Sequence, residues 1–341
     1  MRGILAVKLN LMENRKKAHI ELAFESQLPV SDLDTRFYYE PLLSGHDTRQ
    51  LQPFTFLGKT ISVPIWVSSM TGGTALAKKI NRNLATACKE FGMGMGLGSC
   101  RVILTENAFF DDFNIRPFIG NDLPLYANLG ISQIEQLLQN KQESLAEEMV
   151  KRLQADGLII HINPMQEWLQ PEGDHIIHPP IDTIKRFIDR TKLKLIVKEV
   201  GQGMGPVSLS ELLKLPLAAI EFGAFGGTNF AQLELMRANE IEQKMFAPLS
   251  TIGHSADEMV DFVNDIIERG EAIECKHLIV SGGLKSFLDG YYLIRKVKLP
   301  AVYGQASSML KYAKEDYEDL RKFVDMQIKG LKLAYSYLSV R

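Results

Sequence analysis

The residues best suited to chemistry lie in one short stretch, Gly157-Leu-Ile-Ile-His161-Ile-Asn163-Pro-Met-Gln166-Glu167. Its first half is a β-branched apolar run of the kind found in buried parallel strands, and Pro164 should end the strand because proline lacks a backbone donor. Since side chains alternate along a strand, His161 and Asn163 share a face. An amide and a carboxylate follow in the loop. The stretch predicts a polar site at the carboxyl end of a strand, where parallel α/β folds place their chemistry.

Two charged residues suggest particular ligands. Glu167 offers a carboxylate to magnesium, an ion usually held by one or two carboxylates together with substrate phosphates, although a loop glutamate is more often solvated. Lys198 is predicted to face into the fold, where a buried ammonium needs a phosphate, a carboxylate or an anionic ring beside it. The alternative is a salt bridge to Glu221. Cys100 follows a Gly-Ser pair, but an inert packed thiol is the better interpretation because the sequence identifies no base near it.

These residues need elements that bring them together, and a repeated pattern provides such elements. A short apolar strand, a polar or Gly-rich end and a helical segment recur along the chain. The eight predicted strands are 64–70, 92–98, 124–128, 157–163, 194–200, 217–222, 277–281 and 300–304. Alternating strands and helices imply parallel pairing through right-handed crossovers, and eight units predict an α/β fold of the (β/α)8 TIM barrel class. An open doubly wound sheet is the alternative.

The predicted helices are 75–91, 131–155, 181–191, 208–215, 257–268 and 288–297. We divide the chain into an N-terminal extension (1–60), the barrel (61–312) and a C-terminal helical extension (313–341). The interval 223–276 is long, which predicts an excursion before the seventh strand. The amphipathic C-terminal helix is expected to cover the barrel or a neighbouring subunit.

Glycines and small polar residues recur at the predicted strand ends. Glycine lets backbone N–H groups approach a ligand closely, and the last two ends are similar to the phosphate site of many barrels, although any single glycine is equally consistent with a simple turn. The alternating glycines from Gly92 to Gly98 leave one face of the second strand without side chains. That face either receives a flat ring or packs tightly inside the barrel. The fixed glycine spacing of a dinucleotide fingerprint and a P-loop are both absent from the sequence.

Composition limits the partners. The net charge of -2 gives no general reason to expect nucleic acid or an anionic membrane. Three cysteines cannot form a disulfide framework, so a reducing compartment fits best. The sequence has neither the apolar centre of a signal peptide nor the roughly 18 apolar residues of a membrane span. We therefore expect a soluble, cytoplasmic protein.

Six motifs in order resemble the type 2, FMN-dependent isopentenyl-diphosphate isomerases, from Arg15 nearly to Ala306. The motifs are Arg15-Lys16-x-x-His19, Ser69-Met70-Thr71-Gly72-Gly73, His161-x-Asn163-x-x-Gln166-Glu167 with Pro171-Glu172-Gly173, Lys198-Glu-Val-Gly201, Gly226-Gly227-Thr228-Asn229-Phe230 and Ser281-Gly282-Gly283-Leu284. The resemblance implies a (β/α)8 fold and the interconversion of isopentenyl and dimethylallyl diphosphate with reduced FMN and Mg²⁺, NADPH serving only to reduce the flavin. It also implies a homo-oligomer, a tetramer or an octamer.

The resemblance further assigns residues to roles. FMN contacts would be Ser69, Met70, Thr71, Ser99, Asn128, Lys198, Thr228, Gly282, Gly283, Gln305 and Ala306. Substrate contacts would be Arg15, Lys16, His19, Arg101, Asn163 and Gln166. Glu167 would bind the metal, and His161, Gln166 and Lys198 would form the catalytic group. The pattern departs from the family at Glu221 to Ala224, at Ile252 and at Cys100, which bears on flavin affinity.

Two other functions stay open. An FMN-dependent barrel oxidoreductase acting on a 2-hydroxy acid would need a base histidine and a carboxylate-binding arginine near the late strands, and Ser281-Gly-Gly-Leu284-Lys285 offers neither. A non-catalytic barrel that binds flavin or phosphate is the alternative outside the enzymes.

Overall fold

Short apolar strands form the centre of the molecule. The computed structural model describes residues 13–46, 51–69, 75–107 and 109–341. Its strands are β1 (Phe37–Tyr39), β2 (Phe54–Phe56), β3 (Lys59–Ile61), β4 (Ile65–Val67), β5 (Gly94–Gly96), β6 (Leu125–Gly130), β7 (Gly157–Ile162), β8 (Leu195–Glu199), β9 (Ala219–Glu221), β10 (Leu278–Ser281), β11 (Ala301–Gln305) and β12 (Leu338–Val340).

Strands β4 to β11 close into a parallel barrel in chain order, with β11 hydrogen-bonded back to β4. Each predicted strand range overlaps one of them, and β6 and β11 run past their predicted ends by two residues and one residue. The predicted (β/α)8 barrel is confirmed, and the open-sheet alternative is wrong because the β11–β4 pairing leaves the sheet without an edge.

The helices that surround this barrel mostly follow the predicted ranges. They are α1 (Ala75–Phe91), α2 (Phe110–Phe113), α3 (Arg116–Ile119), α4 (Ile131–Gln139), α5 (Ser144–Arg152), α6 (Pro164–Leu169), α7 (Pro180–Ile188), α8 (Pro206–Leu213), α9 (Phe230–Arg237), α10 (Glu240–Ser250), α11 (Ala256–Glu268), α12 (Phe287–Lys296), α13 (Ser307–Ala313) and α14 (Tyr317–Tyr337). The single helix predicted over 131–155 is wrong. It is two helices, α4 and α5, because Lys141 between them takes a φ of 53°, which no α-helix accommodates.

Side chains fill the barrel interior beside the glycine-rich strand β5. A Cβ on Gly94 would lie 2.5 Å from Cζ3 of Trp66, and one on Gly96 would lie 2.4 Å from Cδ1 of Ile159. Trp66 and Ile159 are fully buried. The tight-packing interpretation of these glycines is therefore right at Gly94 and Gly96, where an indole and an isoleucine occupy the bare face.

Two additions complete the fold. The predicted excursion contains α9 and α10. Ala231 and Leu235 of α9 form a small separate apolar cluster with Leu169 of α6. The C-terminal helix α14 packs on α12 and α1, so it covers the barrel as expected. The domain boundaries at residues 60 and 312 stay predictions. Within the described ranges no helix is long and apolar enough to cross a bilayer.

Candidate active site

A cleft opens where β4 and the strands from β8 to β11 end. Among the predicted cofactor residues it is lined by Ser69, Lys198, Thr228, Gly282, Gly283, Gln305 and Ala306. Ser68, Glu221, Gly226 and Gly227 also line it, and none of these four was among the predicted cofactor contacts. The predicted convergence of the late strand ends is thus observed, although whether the residues bind FMN stays a prediction.

Backbone rather than side chains forms one wall of the cleft. Gly282 has a φ of 94°, and a Cβ there would lie 2.1 Å from the carbonyl oxygen of Ala224. A Cβ on Gly227 would lie 3.2 Å from the nitrogen of Gly283. Within the described part of the chain, the N–H groups of Gly226, Gly227, Gly282 and Gly283 donate no backbone hydrogen bond. The wall therefore offers several backbone donors to a ligand, as phosphate cradles do.

The floor of the cleft holds buried polar atoms without partners. The hydroxyl oxygens of Ser68 and Ser69 and Oε2 of Glu221 are buried and make no hydrogen bond to any described residue. Lys198 is only 7% exposed, and its Nζ donates to the backbone oxygen of Glu199 at 2.9 Å. In the described ranges Nζ of Lys198 bonds to a backbone oxygen and to no carboxylate, so the predicted alternative, a salt bridge to a neighbouring strand's acid such as Glu221, does not form. Buried groups of this kind require partners, which a hydrogen-bonding anionic ligand would provide.

Glu199 holds the turn that follows Lys198. One of its oxygens, Oε2, accepts the backbone N–H groups of Gly201, Gln202 and Gly203 at 2.7, 2.6 and 2.9 Å. Burial raises the pKa of this carboxyl group. A Cβ on Gly201 would lie 2.2 Å from the oxygen of Thr228, so this turn packs directly against the loop after β9.

Beside the cleft, β6 and β7 place an imidazole in a defined tautomer. Asn128 donates from Nδ2 to the oxygen of Leu97 at 3.0 Å, which turns its Oδ1 towards Nδ1 of His161 at 2.9 Å. Nδ1 must then carry the proton, which leaves Nε2 as an acceptor. Burial, and to a lesser degree the charge of Lys198, lowers the pKa of His161 to about 3. His161 and Lys198 are paired residues of adjacent strands, so a neutral acceptor and a cation lie side by side.

Helix α6 carries the other predicted polar residues in one hydrogen-bonded group. Asn163 is 2% exposed, and its Nδ2 donates to Oε1 of Gln166 at 3.1 Å and Oε1 of Glu167 at 2.8 Å. Gln166 donates to Oε1 of Glu234 at 3.3 Å, and Arg237 donates to Oε2 of Glu234 at 2.6 Å. Glu234, which is 3% exposed, was missed because nothing in the sequence relates α9 to α6.

The donor set at Glu167 limits how a metal could be held. The described residues contain no group of three or more His, Cys, Asp or Glu side chains that could hold a metal ion. Each oxygen of Glu167 accepts one hydrogen bond, from Asn163 or from the N–H of Asp174. Because a carboxylate oxygen has two lone pairs, both can still ligate. One carboxylate completed by water and a phosphate suits Mg²⁺.

The remaining predicted residues are less closely associated with the cleft. Ser99 and Arg101 are exposed at the same end of the barrel, and Arg101 forms an ion pair with Asp174 at 2.8 Å. Arg15, Lys16 and His19 lie exposed in a helical segment, residues 13–22, and do not line the cleft. Met70 and Thr71 fall outside the described residues. Burial raises the pKa of the Cys100 thiol to about 12, in line with the inert-thiol interpretation.

Three comparisons relate the chain to known proteins. No family model matches it. It is 32% identical to the isopentenyl-diphosphate delta-isomerase of Rickettsia africae over 329 residues, which is 95% of this chain and 93% of that protein. The enzyme of the same name from Rickettsia typhi is 32% identical over 94% of this chain and 91% of its own.

Solved structures resemble the fold. A flavocytochrome b2 variant with bound pyruvate superposes with a TM-score of 0.62 at 12% identity, covering 88% of this chain and 71% of its own. A mandelate oxidase variant carrying an FMN adduct superposes with a TM-score of 0.57 at 10% identity, covering 88% of this chain and 83% of its own. At these identities the similarity establishes the barrel fold.

Proposed function

The chain belongs to the isopentenyl-diphosphate delta-isomerase family, and on that premise we propose that it interconverts isopentenyl and dimethylallyl diphosphate with reduced FMN and Mg²⁺. The membership confirms the resemblance drawn from the sequence motifs. The observation that carries the cofactor proposal is the cleft, whose unpartnered buried serines and glutamate and free backbone N–H groups match a large polar ligand.

The residues present fit FMN on chemical grounds. Gly226, Gly227, Gly282 and Gly283 would offer backbone donors to a phosphate. Lys198, buried and without a carboxylate partner in the described ranges, would balance the charge of an anionic ring. Ser69 and Gln305 would hydrogen-bond to ring heteroatoms. Bound reduced FMN would supply an electron-rich ring able to exchange a proton without net electron transfer.

The polar group on α6 would hold the substrate. Glu167 would ligate Mg²⁺ together with the diphosphate, because a single carboxylate plus phosphate oxygens is the usual magnesium arrangement. Gln166, held between Asn163 and Glu234, would orient the substrate and not transfer a proton, since an amide is neither a useful acid nor a useful base. Binding energy from the diphosphate would then position the alkene.

His161 would receive a hydrogen bond from the substrate or from bound water. Its Nε2 is unprotonated at neutral pH because the pKa is lowered to about 3 and Nδ1 donates to Asn128. Arg101 would contact the diphosphate through the N–H groups that its single bond to Asp174 leaves free. Arg15, Lys16 and His19 would approach the same group from the exposed segment that contains them.

Further proposals concern the surroundings of the reaction. NADPH would reduce the flavin once and would not be consumed in turnover. Assembly into a tetramer or octamer is supported by exposed apolar residues of the N-terminal region, such as Phe24, Leu28 and Val30, each more than 80% exposed. A cytoplasmic location is supported by the free cysteines Cys88, Cys100 and Cys275.

One experiment tests the function. The purified chain is assayed for flavin absorbance and is then incubated with isopentenyl diphosphate, Mg²⁺, FMN and a limiting amount of NADPH. We expect dimethylallyl diphosphate in large molar excess over the NADPH consumed, and none with oxidised flavin. Oxidation of a 2-hydroxy acid in proportion to the flavin reduced would indicate the oxidoreductase, and flavin binding without either reaction would indicate a binding protein. Either result would overturn the proposal.

A further inference from the structure

Residues 170–178, which we call the strap, cross the top of the barrel after α6 and are tied down at three points. Glu172 forms an ion pair with Arg237 of α9 at 2.7 Å. The carboxylate of Asp174 accepts hydrogen bonds from Gln133 of α4 and from Arg101 in the loop after β5. At its far end the backbone N–H groups of Ile177 and His178 donate to Glu135 at 2.9 and 2.8 Å. Because Glu135 is 2% exposed, this last anchor is buried in α4.

Asp174 is the residue at which the strap meets both predicted ligand-binding groups. Its backbone N–H donates to Oε2 of Glu167 at 2.8 Å. Its carboxylate accepts from Arg101 at 2.8 Å and from Gln133 at 2.9 Å, with a longer bond from Ser132 at 3.3 Å. One residue therefore joins the carboxylate predicted to hold the metal to the guanidinium predicted to hold the diphosphate.

The strap packs directly against the backbone of α6. A Cβ on Gly173 would lie 1.9 Å from the backbone oxygen of Glu167, far inside van der Waals contact. Gly173 thus allows the strap backbone to lie directly on the residue that Asp174 positions. Any side chain at residue 173 would push the strap away from Glu167.

Arg101 keeps hydrogen-bond donors that its bond to Asp174 does not use. The side chain of Arg101 donates one N–H to Asp174 and, within the described ranges, makes no other hydrogen bond, so its remaining donors are available to a phosphate. Its side chain is 54% exposed, whereas that of Asp174 is 18% exposed. A half-exposed arginine has many rotamers, and the more buried carboxylate selects one of them.

We propose that Asp174 is a positioning residue for the metal-bound diphosphate: it fixes Arg101 through its carboxylate and Glu167 through its backbone N–H. The inference rests on the proposed function, because it assumes that Glu167 and Arg101 act on the same head group. Asp174 itself does not line the cofactor cleft.

The test uses the flavin-loaded full chain and inorganic diphosphate with Mg²⁺ as the probe. For Asp174→Asn we expect diphosphate affinity by calorimetry, and the KM for isopentenyl diphosphate, to weaken about 10-fold, as for other residues that orient ligating groups. We expect kcat at saturation, flavin absorbance and the melting temperature to change little. Glu172→Gln, in the same strap, removes an ion pair between half-exposed side chains and should weaken diphosphate binding less than about 2-fold.

A double-mutant cycle separates positioning from a structural role. The losses of diphosphate binding free energy in Asp174→Asn and Arg101→Gln should be non-additive. Once Asp174 no longer holds Arg101 in place, removing Arg101 costs less. Additive effects, or an Asp174→Asn variant that behaves like Glu172→Gln, would overturn the proposal. Gly173→Ala provides a second route should the first variant fail to fold, since it moves the strap without removing a charge and should also weaken diphosphate binding.

The binding measurement keeps the two proposals distinct. Were the wild-type chain to bind Mg²⁺-diphosphate without isomerising its substrate, the proposed function would fail while the cycle still decided the role of Asp174. Were the wild type to bind no diphosphate, the positioning role would be refuted directly.

Discussion

The two halves of the barrel mouth are built in opposite ways. In the half formed by β4 and β8 to β11, glycine backbone forms the wall, and Ser68, Ser69 and Glu221 have buried atoms without partners. In the half formed by β6, β7, α6 and the strap, most polar side chains have a protein partner, as Nδ2 of Asn163 has in Glu167, although Oδ1 of Asn163 is buried without one among the described residues. The first half lacks partners that a ligand must provide, whereas the second is largely hydrogen-bonded before a ligand arrives.

This difference matches the different binding requirements of the two proposed ligands, the cofactor and the substrate. A resident cofactor can supply many contacts at once, so its site can leave donors and acceptors open. A substrate that enters and leaves at every turnover is better served by groups that need no reorganisation. His161 and Lys198, adjacent across β7 and β8, mark the boundary between the halves.

The largest expected effect comes from the preorganised half. Glu167→Gln keeps the shape of the side chain but removes the charge that would hold Mg²⁺, so turnover should fall at least about 100-fold. Flavin content should be unchanged because Glu167 does not line the cleft. Steady-state rates and the flavin absorbance ratio measure the two outcomes. Loss of flavin from this variant would mean that the halves are not separate.

The glycine wall gives the converse prediction. Gly282→Ala should weaken flavin binding by about 10-fold or more, because alanine is strained by about 1–3 kcal/mol at the φ of 94° and relieving that strain would move the wall of the cleft. The added methyl group would also meet the oxygen of Ala224. Gly270→Ala is the matched control, because Gly270 has a φ of 72° with open space around it. Flavin titration followed by fluorescence measures both, and equal losses would show that backbone strain alone, without the cleft, explains the result.

The pH dependence of the unfolding free energy tests the protonation state of His161, which lies at the boundary between the halves. Its folded-state pKa of about 3 lies below the ordinary 6.5, so the unfolded chain binds the proton more readily between these values. Its contribution to stability is fully present above pH 6.5 and is lost as the pH falls towards 3, at up to about 1.4 kcal/mol per pH unit. Urea unfolding from pH 7 to 4 should show the wild type losing its advantage over His161→Gln. A constant difference across that range would contradict the neutral imidazole.

The smallest effect is expected behind the cleft. Gln327 of α14, 5% exposed, donates from Nε2 to Oε1 of Gln305 at 2.7 Å, and Gln305 lines the cleft. Gln327→Leu would leave that buried oxygen unpaired and should lower the unfolding free energy by about 1–3 kcal/mol. Flavin affinity should fall only a few-fold as the amide of Gln305 reorients. Met326→Leu, on the exposed side of the same helix, should change neither quantity.

Periodicity was enough to predict the barrel but not the contacts between its loops. The apolar runs around Ile65, Ile159 and Val280 identify strands because burial on both faces requires such runs. The partners of Gln166 and Glu167 could not be found in this way, since Glu234 and Asp174 reach them through helix and strap placement that no local pattern encodes. The break at Lys141 was missed for a different reason: lysine is a good helix former, whereas here it takes a positive φ in the local turn that ends α4, where the N–H groups of Lys141 and Gln142 donate to the oxygens of Leu138 and Leu137.

The antiparallel pairing of β1 with β12 has a mechanical consequence. Tyr38 faces Ser339 across this small ladder, which lies just after the segment that carries Arg15, Lys16 and His19. The few hydrogen bonds of this ladder hold β1 and β12 together, so force applied to either strand acts on the same bonds. The chain near its N-terminus is thereby attached to its C-terminus. An insertion or a bulky label near residue 339 would break the ladder hydrogen bonds and release β1 from the C-terminal strand.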